Sequence, residues 1–399
     1  MTIADVVVVG AGLAGASLAW HLGRRAGRVV VLDRAPTPGA ESSADGVGMV
    51  RRLADDPVER ALARRTSAWM RPVLAGDLPD WPVPPGHVSG AVLGAVDDPT
   101  WLADAVAELR AHGVDVHAVD RPGELTPVLA KSRLARAWWV PDELVVDPPA
   151  LLAGLVRGAA RAGATFRCGV SVVSLRRSGD RVVGVDTSAG PIEAGAVVLA
   201  SGAWSAALGR GVGLERPMFP LRRSVWRLGG APAPASPWVW LDDVGLYARS
   251  TPEEWWVSSC DERVSFPAGP GTRGDGEPSA AERAGARIAR WMPGLAGRAV
   301  TGGWSGLRTF APDRRPVLGA DPDRPGLWWM AGLGGSGVTA GPAAGEAVAA
   351  WLSGEVTPWM PTAPVSPGRA YPRRWPIRPD GSVAGSSLVL GTLPAQVQS

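Results

Sequence analysis

The N-terminal stretch "ADVVVVGAGLAGASLAWHLGRRAGRVVVLDR" limits what this chain can fold into more than any other segment. Residues 6–9 form a short apolar run, which predicts a strand buried on both faces. A G-x-G-x-x-G pattern follows, and apolar residues then recur at helical spacing over residues 16–22. A second apolar run at residues 29–32 predicts another buried strand. The stretch therefore predicts a strand, a tight turn, a helix and a parallel strand, which is the beginning of an α/β fold.

The glycines of this pattern suit the binding of a dinucleotide. Gly10 permits the tight turn, Gly12 lets the backbone approach a pyrophosphate, and Gly15 lets the helix pack against the strand. The helix N-terminus presents N–H groups to phosphates, and Asp33 is placed to accept hydrogen bonds from a ribose. The acidic residue argues against a 2′-phosphate, and a single motif near the N-terminus favours FAD over NAD. The predicted contacts are Gly10, Gly12, Leu13, Ala14, Gly15, Asp33 and Arg34.

Later segments predict that the chain returns twice to the same sheet. Residues 148–208 read as a helix, strands and the strand-like "AVVLASGAWS", and residues 325–352 read as a strand, a Gly-rich turn and a long helix. The intervening blocks are rich in tryptophan and in short β-like runs such as "EEWWVSS". We predict a Rossmann-like, glutathione-reductase-type FAD lobe interleaved with an antiparallel-sheet substrate lobe. The predicted boundaries are 1–86, 148–215 and 308–358 for the FAD lobe, 87–147 and 216–307 for the substrate lobe, and 359–399 for a Pro-rich extension.

Composition narrows the possible classes of protein. The net charge of the 399 residues is only +3, and the basic residues form no stripe of the kind that nucleic-acid binding requires. Cys168 and Cys260 support neither a disulfide framework nor a metal cluster, and the four histidines are dispersed. No apolar run approaches the roughly 18 residues of a spanning helix. We expect a cytoplasmic protein without a metal site, a nucleic-acid partner or a membrane span.

An ordered series of motifs gives the chain a resemblance to a known superfamily. The motifs are "VVVVGAGLAGAS", "VVVLDR", "ESSADG", "VDPPALLAGLVRGAARAGATF", "VVLASGAWS", "PLRRSV", "WSGLRTFAPDRRPVLG" and "GLGGSGVTAGPAAGEAVAAWL". Together they resemble the D-amino-acid oxidase, glycine oxidase and sarcosine oxidase superfamily of FAD enzymes, closest in pattern to the D-arginine dehydrogenase type. The resemblance implies an enzyme that oxidises a C–N bond by hydride transfer to flavin N5, which gives an imine. The implied partners are an amino acid or amine and O2 or another electron acceptor.

The resemblance also implies further contacts with FAD. The last Gly-rich turn would open a helix whose positive end faces the flavin, where negative charge develops on reduction. "ESSADG" would supply a second flavin-contacting loop, the strand after residue 170 would meet the adenine, and the strand ending before residue 202 would bring backbone close to the cofactor. The residues implied are Ser42, Ser43, Val172, Val173, Gly202, Gly334, Gly335, Ser336, Gly337 and Val338.

Four residues are candidates for the substrate site. In relatives with "GLR-P", the arginine clamps a substrate carboxylate, and Arg308 stands at that place; a guanidinium suits this task because it forms two parallel hydrogen bonds. The alternative is that Arg308 pairs with a structural carboxylate such as Asp313. Arg222 or Arg223 in "PLRRSV" and Tyr247 in "LYARS" are secondary candidates, for which sheet packing or a surface salt bridge is an equally good explanation.

The sequence departs from the family pattern at several places. The loop after "ESSADG" carries Met49 and Ala54 where the D-arginine dehydrogenase type has a histidine and a tyrosine, which indicates a different amine, either bulkier or less polar. Gly306 stands where sarcosine oxidases have their flavin-linking cysteine, so we expect non-covalent FAD, with Cys260 as a buried structural thiol. Leu333 replaces the usual histidine before the last Gly-rich turn.

The sequence is also compatible with two other functions. One is a flavin-dependent monooxygenase or halogenase, although these usually carry Gly-Asp before the last helix where this chain has "MAGLGG". The other is a non-catalytic flavoprotein, which the missing histidine and tyrosine would explain.

Overall fold

The computed structural model describes residues 2–372 except residues 24, 26, 45, 55, 98–99, 231–235, 268–273 and 275–277. Residues 373–399 of the predicted Pro-rich extension therefore lie outside the described residues. In the described chain the strands are β1 (Thr2–Val9), β2 (Val29–Asp33), β3 (Met49–Val50), β4 (Gly86–Val88), β5 (Ala91–Ala95), β6 (His117–Ala118), β7 (Arg136–Val140), β8 (Leu144–Val146), β9 (Thr165–Cys168), β10 (Val172–Ser178), β11 (Arg181–Thr187), β12 (Gly190–Leu199), β13 (Phe219–Leu228), β14 (Trp238–Leu241), β15 (Leu246–Ser250), β16 (Trp255–Ser258), β17 (Arg263–Val264), β18 (Val300–Phe310), β19 (Val317–Ala320) and β20 (Leu327–Ala331). The helices are α1 (Leu13–Leu22), α2 (Pro57–Ala75), α3 (Thr100–Ala111), α4 (Pro122–Leu125), α5 (Pro148–Arg161), α6 (Ser205–Arg210), α7 (Pro278–Trp291) and α8 (Gly337–Leu352).

The first sheet is built around the N-terminal strand. Its order is β10-β11-β12-β1-β2-β9, with β20 paired to β12 and β19 to β20. The strands β12, β1, β2 and β9 run parallel, and β20 runs parallel to β12. Because β1 lies between β2, which follows it, and β12, which comes much later, the strand order reverses at the C-terminal end of β1. Ligands of open α/β sheets bind at such a switch point.

Both faces of the first sheet are buried, as the apolar runs predict. Val6 and Val8 of β1 belong to a hydrophobic cluster that α1, α2, α5 and α8 complete. Val7 and Val9 face a second cluster formed with the hairpin β10–β11 and α6. The helix α1 thus packs on the sheet directly after its strand, with the right geometry for a nucleotide-binding unit.

The second sheet collects segments from two separate stretches of the chain. Its order is β17-β13-β16-β15-β14-β5-β7-β6, with β18 on the other edge of β13. Most pairs are antiparallel, as expected, but β14 and β5 are parallel. These two strands lie in two different chain segments, each of which leaves the first sheet and returns to it. A crossover rather than a hairpin therefore connects them. The predicted boundary at residue 308 falls inside β18, which continues to Phe310 as one strand of this sheet.

One face of the second sheet is a closed core. Ala280, Ala284 and Ile288 of α7 recur at helical spacing and pack against Trp255 and Val257 of β16. Since successive side chains of a strand alternate between faces, the neighbouring Trp256 and Ser258 lie on the opposite face. That opposite face holds the candidate site.

Candidate active site

The Gly-rich turn after β1 has the close contacts that the sequence predicts. Gly10 has a φ of +108°, and a Cβ there would lie 2.5 Å from the carbonyl oxygen of Ala200. A Cβ on Gly15 would lie 1.8 Å from the carbonyl oxygen of Gly10, so only glycine lets α1 approach the turn this closely. The backbone N–H of Ala11 donates to Asp33 Oδ2 at 2.7 Å. This bond fixes the carboxylate at the switch point, where the turn between β1 and α1 opens.

The two serines of "ESSADG" contact different parts of the site. Ser43 Oγ accepts a hydrogen bond from the N–H of Leu13 at 2.9 Å, and a Cβ on Gly12 would lie 2.8 Å from the same oxygen. Ser42 Oγ donates to the carbonyl oxygen of Leu307 at 2.5 Å. Ser42 therefore ties this loop to β18 immediately before Arg308.

The remaining predicted nucleotide contacts lie around the same edge. The guanidinium of Arg34 stacks over Trp204 at 3.8 Å from the ring centroid and donates to Glu41. Gly202 has a φ of +53°, and a Cβ there would meet no other atom within 4 Å. Val172 is half-buried at the beginning of β10, whereas the Val173 side chain is 69% exposed.

The helix α8 begins beside the helix α1, and both N-termini open at one edge of the sheet. Gly341 lies close to the carbonyl oxygen of Leu13, and Gly345 lies close to Ser17, so the two helices run side by side in the same direction. The N-cap residue of α1 is Gly12 and that of α8 is Ser336, and neither N-cap residue supplies a side-chain hydrogen bond to the helix. Two positive helix ends are thus available to an anionic ligand.

The turn before α8 packs directly on Arg308. Gly334 and Gly335 have φ values of +59° and +87°. A Cβ on Gly334 would lie 2.6 Å from the Phe310 ring, and a Cβ on Gly335 would lie 2.3 Å from Arg308 Cδ. Ser336, Gly337 and Val338 continue from this turn into α8. The predicted clamp residue and the predicted flavin-facing turn are therefore in contact.

Arg308 and Tyr247 interact on one face of the second sheet. Their side chains are hydrogen-bonded, and Arg223 lies close enough to both to affect their pKa values. Burial lowers the pKa of Arg308, which Tyr247 partly offsets, and burial raises the pKa of the Tyr247 phenol. The structure thus brings three of the four predicted substrate-site residues together.

Among the described residues, no carboxylate forms an ion pair with Arg308. The predicted alternative partner, Asp313, pairs instead with Arg369 at 2.7 Å. Arg223 is bonded to Glu262, which also pairs with Arg314. Glu262 neutralises Arg223, which is therefore less available to a substrate. Arg308 is the arginine of the cluster that no carboxylate of the described residues neutralises.

Arg222 does not join this cluster. In the ladder between β13 and β18, Arg223 is opposite Gly306 and Arg222 is opposite Leu307. Because side chains alternate along a strand, Arg222 lies on the other face, where its Nη1 donates to Ser305 Oγ at 2.9 Å. Strand register therefore distinguishes two adjacent arginines that the sequence leaves equivalent.

Several residues of the site were not predicted from the sequence. Trp240 stacks on Tyr247 with ring centroids 4.9 Å apart, and Arg51 lies over Trp240 at 4.1 Å. Trp256 and Trp304 form an edge-to-face pair at 5.1 Å. The alternation of "PWVWLDD" and "EEWWVSS" would have placed Trp240 and Trp256 on the face of Tyr247 had the phase of each strand been known.

The departures from the family pattern have structural counterparts. The carbonyl oxygen of Met49 accepts from Thr339 Oγ1 of α8 at 3.2 Å, and Ala54 is buried. Cys260 has a φ of +49°, and burial raises the pKa of its thiol to about 11, which is the behaviour of an unreactive thiol. Leu333 packs against the core of the first sheet.

Fold and site together define a flavin-dependent oxidoreductase. The residues fit FAD, since a glycine cradle, Asp33 and two open helix N-termini meet at one switch point. The family described as DAO, FAD dependent oxidoreductase, matches residues 5–351, and the chain belongs to this family. It is accordingly an FAD-dependent oxidoreductase.

Relatives with known names support this assignment. A glycine oxidase of Geobacillus kaustophilus is 30% identical over 86% of this chain and 92% of its own length. A D-amino acid dehydrogenase of Paramagnetospirillum magneticum is 27% identical over 88% of this chain and 95% of its own length. The crystal structure of the Geobacillus glycine oxidase matches with a TM-score of 0.81 over 93% of this chain and all of that chain, at 26% identity. An iminodiacetate oxidase from Chelativorans sp. BNC1 matches with a TM-score of 0.74 over 91% of this chain and 98% of that chain, at 27% identity.

Two further observations concern the described residues only. None of their helices is both long and apolar enough to cross a membrane. Their histidine, cysteine and acidic side chains include no group of three that could hold a metal ion.

Proposed function

We propose that this enzyme oxidises the C–N bond of an amino acid or a closely related amine that carries a carboxylate. The observation that carries the proposal is Arg308, a partly buried guanidinium without an ion pair among the described residues, which touches both Tyr247 and the turn that opens α8. Relatives named glycine oxidase and D-amino acid dehydrogenase support the same class of substrate.

Arg308 and Tyr247 would hold the substrate carboxylate. The fork of the guanidinium makes two charge-assisted hydrogen bonds to the carboxylate oxygens, and the phenol of Tyr247 donates a third. Burial raises the pKa of Tyr247, so the hydroxyl keeps its proton and remains a donor at neutral pH. Arg223 contributes positive potential while its own charge is balanced by Glu262.

The aromatic residues of the same face would keep the substrate amine neutral. Trp240, Trp256 and Trp304 form an apolar wall next to the cluster. Removal of an ammonium from water lowers its pKa, so the amine can lose its proton without a dedicated protein base. A neutral amine carries the lone pair that assists departure of a hydride from the adjacent carbon.

FAD, when bound, supplies the hydride acceptor at N5. The substrate carbon loses its hydride and becomes the carbon of an imine, which water hydrolyses to a carbonyl compound and ammonia or an amine. The N-terminus of α8, beside Gly335, would stabilise the negative charge that a reduced flavin carries. O2 or another electron acceptor would take up the two electrons of the reduced FAD.

Replacement of Arg308 by methionine tests the assignment of the carboxylate clamp. We expect Arg308→Met to retain FAD and to lose about 10- to 100-fold in affinity for carboxylate substrates, the size of a lost charge-assisted hydrogen bond. Substrate affinity is measured by anaerobic titration of the flavin absorbance. Arg222→Met is the matched control, because Arg222 is on the opposite face of the sheet. Equal losses in the two variants would refute the clamp.

A further inference from the structure

A second arginine on the site face also lacks a carboxylate. Arg249 follows Tyr247 by two residues on β15, so both side chains lie on the same face of the strand. The other arginines near this face are paired, Arg51 with Asp242, Arg223 and Arg314 with Glu262, and Arg227 with Glu254. Within the described part of the chain, Arg249 and Arg308 have no such partner.

The guanidinium of Arg249 has few hydrogen-bond partners among the described residues. Its Nη1 donates to the carbonyl oxygen of Val47, and its guanidinium lies 5.1 Å from the centroid of the Trp256 ring. Its Nε is buried and has no hydrogen-bond partner. Burial lowers the pKa of Arg249 to about 10, against a weaker opposing effect of Asp147. A buried donor without a partner costs free energy unless a ligand satisfies it.

The position of Arg249 connects it to the reacting centre. A Cβ on Gly48 would lie 3.1 Å from its Nη1, and the next residue, Met49, is bonded to Thr339 in the first turn of α8. Residues two apart on a strand are separated by roughly 7 Å, and Tyr247 is in contact with Arg308. Arg249 and Arg308 therefore both extend from the face of the sheet that carries Tyr247.

We propose that Arg249 binds a second anionic group of the substrate, so that the preferred substrate is an amino acid with two acidic groups. This inference rests on the function proposed above, in which Arg308 binds the first carboxylate. The second acid can belong to the side chain of the amino acid or to a substituent on its nitrogen. A buried guanidinium without a carboxylate is costly, and an anionic group of the substrate would offset that cost at Arg249 as well as at Arg308.

Binding of inert acids tests the inference without turnover. Succinate and butyrate have the same number of carbons and differ in one carboxylate. We expect the holoenzyme to bind succinate at least about 10-fold more tightly than butyrate, the value of a hydrogen bond to a charged group, as measured by calorimetry. Equal binding of the two acids would overturn the inference.

Variants assign the preference to Arg249. Arg249→Met is expected to remove the preference for succinate and to leave butyrate binding within about 2-fold, whereas Arg249→Lys keeps a charge and part of the preference. Arg227→Met is the control, because Arg227 is half-exposed and already paired with Glu254. If Arg249 only tethers the loop at Val47, succinate and butyrate will weaken together, and that outcome also overturns the inference.

Flavin reduction distinguishes the two sources of the second acid and separates this inference from the proposed function. Both enantiomers of aspartate and glutamate carry the acid on the side chain, and N-carboxymethylglycine carries it on nitrogen; alanine and N-methylglycine are the monoanionic references. Faster reduction by either dianionic set supports Arg249 and names the source.

Reduction that favours the monoanionic references overturns the inference and leaves the proposed function intact. Absence of reduction by every amine would refute the proposed function, while the succinate comparison would still decide the second anion site.

Discussion

At the scale of single residues, the site is a set of arginines that differ in whether a carboxylate balances them. Arg223 and Arg314 share Glu262, Asp313 is occupied by Arg369, and Arg308 interacts with Tyr247 instead. A buried charge without an ion pair is costly, so its retention beside a predicted cofactor site indicates a ligand.

The Glu262 pairs give a pH-dependent prediction. Burial alone would raise the pKa of Glu262, but Arg223 and Arg314 outweigh it and hold the pKa below the ordinary value of 4.5. A lowered folded-state pKa contributes stability above pH 4.5 that is lost as the pH falls further. Glu262→Gln should therefore cost about 2–4 kcal/mol in the free energy of unfolding at pH 7, and this difference from the wild type should shrink below pH 4.5.

Unfolding monitored between pH 7 and pH 3.5 measures that difference. Glu355→Gln is the control, because Glu355 pairs with Arg25 on the exposed surface and surface pairs contribute little. A difference for Glu262→Gln that stays constant down to pH 3.5 would show that the paired carboxylate is not the cause.

The sequence predicted some of these residues and not others for a physical reason. Arg308 and Tyr247 stand in motifs whose neighbours are informative, so their positions could be read locally. Arg222 and Arg223 are adjacent, and only the register of β13 against β18 shows which one faces the site. Arg249 stands in the same "LYARS" stretch as Tyr247, but only the fold shows that no carboxylate of the described residues pairs with it.

At the scale of elements, the site is the place where two helix N-termini and one edge of a second sheet meet. The glycine turn before α1 was predictable because strand, turn and helix are consecutive in sequence and each glycine has a local steric reason. The contact between Gly335 and Arg308 was not, because it joins the turn before α8 to a strand of the other sheet.

Substitution of Gly12 tests the cofactor cradle. A Cβ on Gly12 would lie 2.8 Å from Ser43 Oγ and would occupy the space in front of the α1 N-terminus. We expect Gly12→Ala to fold but to be purified with a strongly reduced FAD content, measured as the flavin-to-protein absorbance ratio. Gly285→Ala is the matched control, since a Cβ there would meet nothing within 4 Å and alanine favours a helix. Full flavin occupancy in Gly12→Ala would contradict the placement of the pyrophosphate.

At the scale of the whole molecule, the two larger of the three described sheets are assembled from interleaved segments. The first sheet takes strands from residues 2–33, 165–199 and 317–331, and the second takes strands from residues 91–140 and 219–310. Apolar runs and tryptophan-rich runs were enough to predict this alternation. The parallel pairing of β5 with β14 was not, because it depends on where two distant excursions meet. We still predict that the first sheet belongs to an FAD lobe and the second sheet to a substrate lobe.

The central claim is that the substrate of this FAD-dependent enzyme is an amine, and anaerobic reduction of its flavin tests that claim most directly. The purified holoenzyme is mixed without oxygen with D-amino acids, L-amino acids, N-substituted amino acids and, separately, NADH and NADPH, while the flavin absorbance is followed. We predict that an amino acid bleaches the flavin and that the nicotinamides do not. Bleaching by NADH or NADPH alone would contradict it and favour a monooxygenase or halogenase.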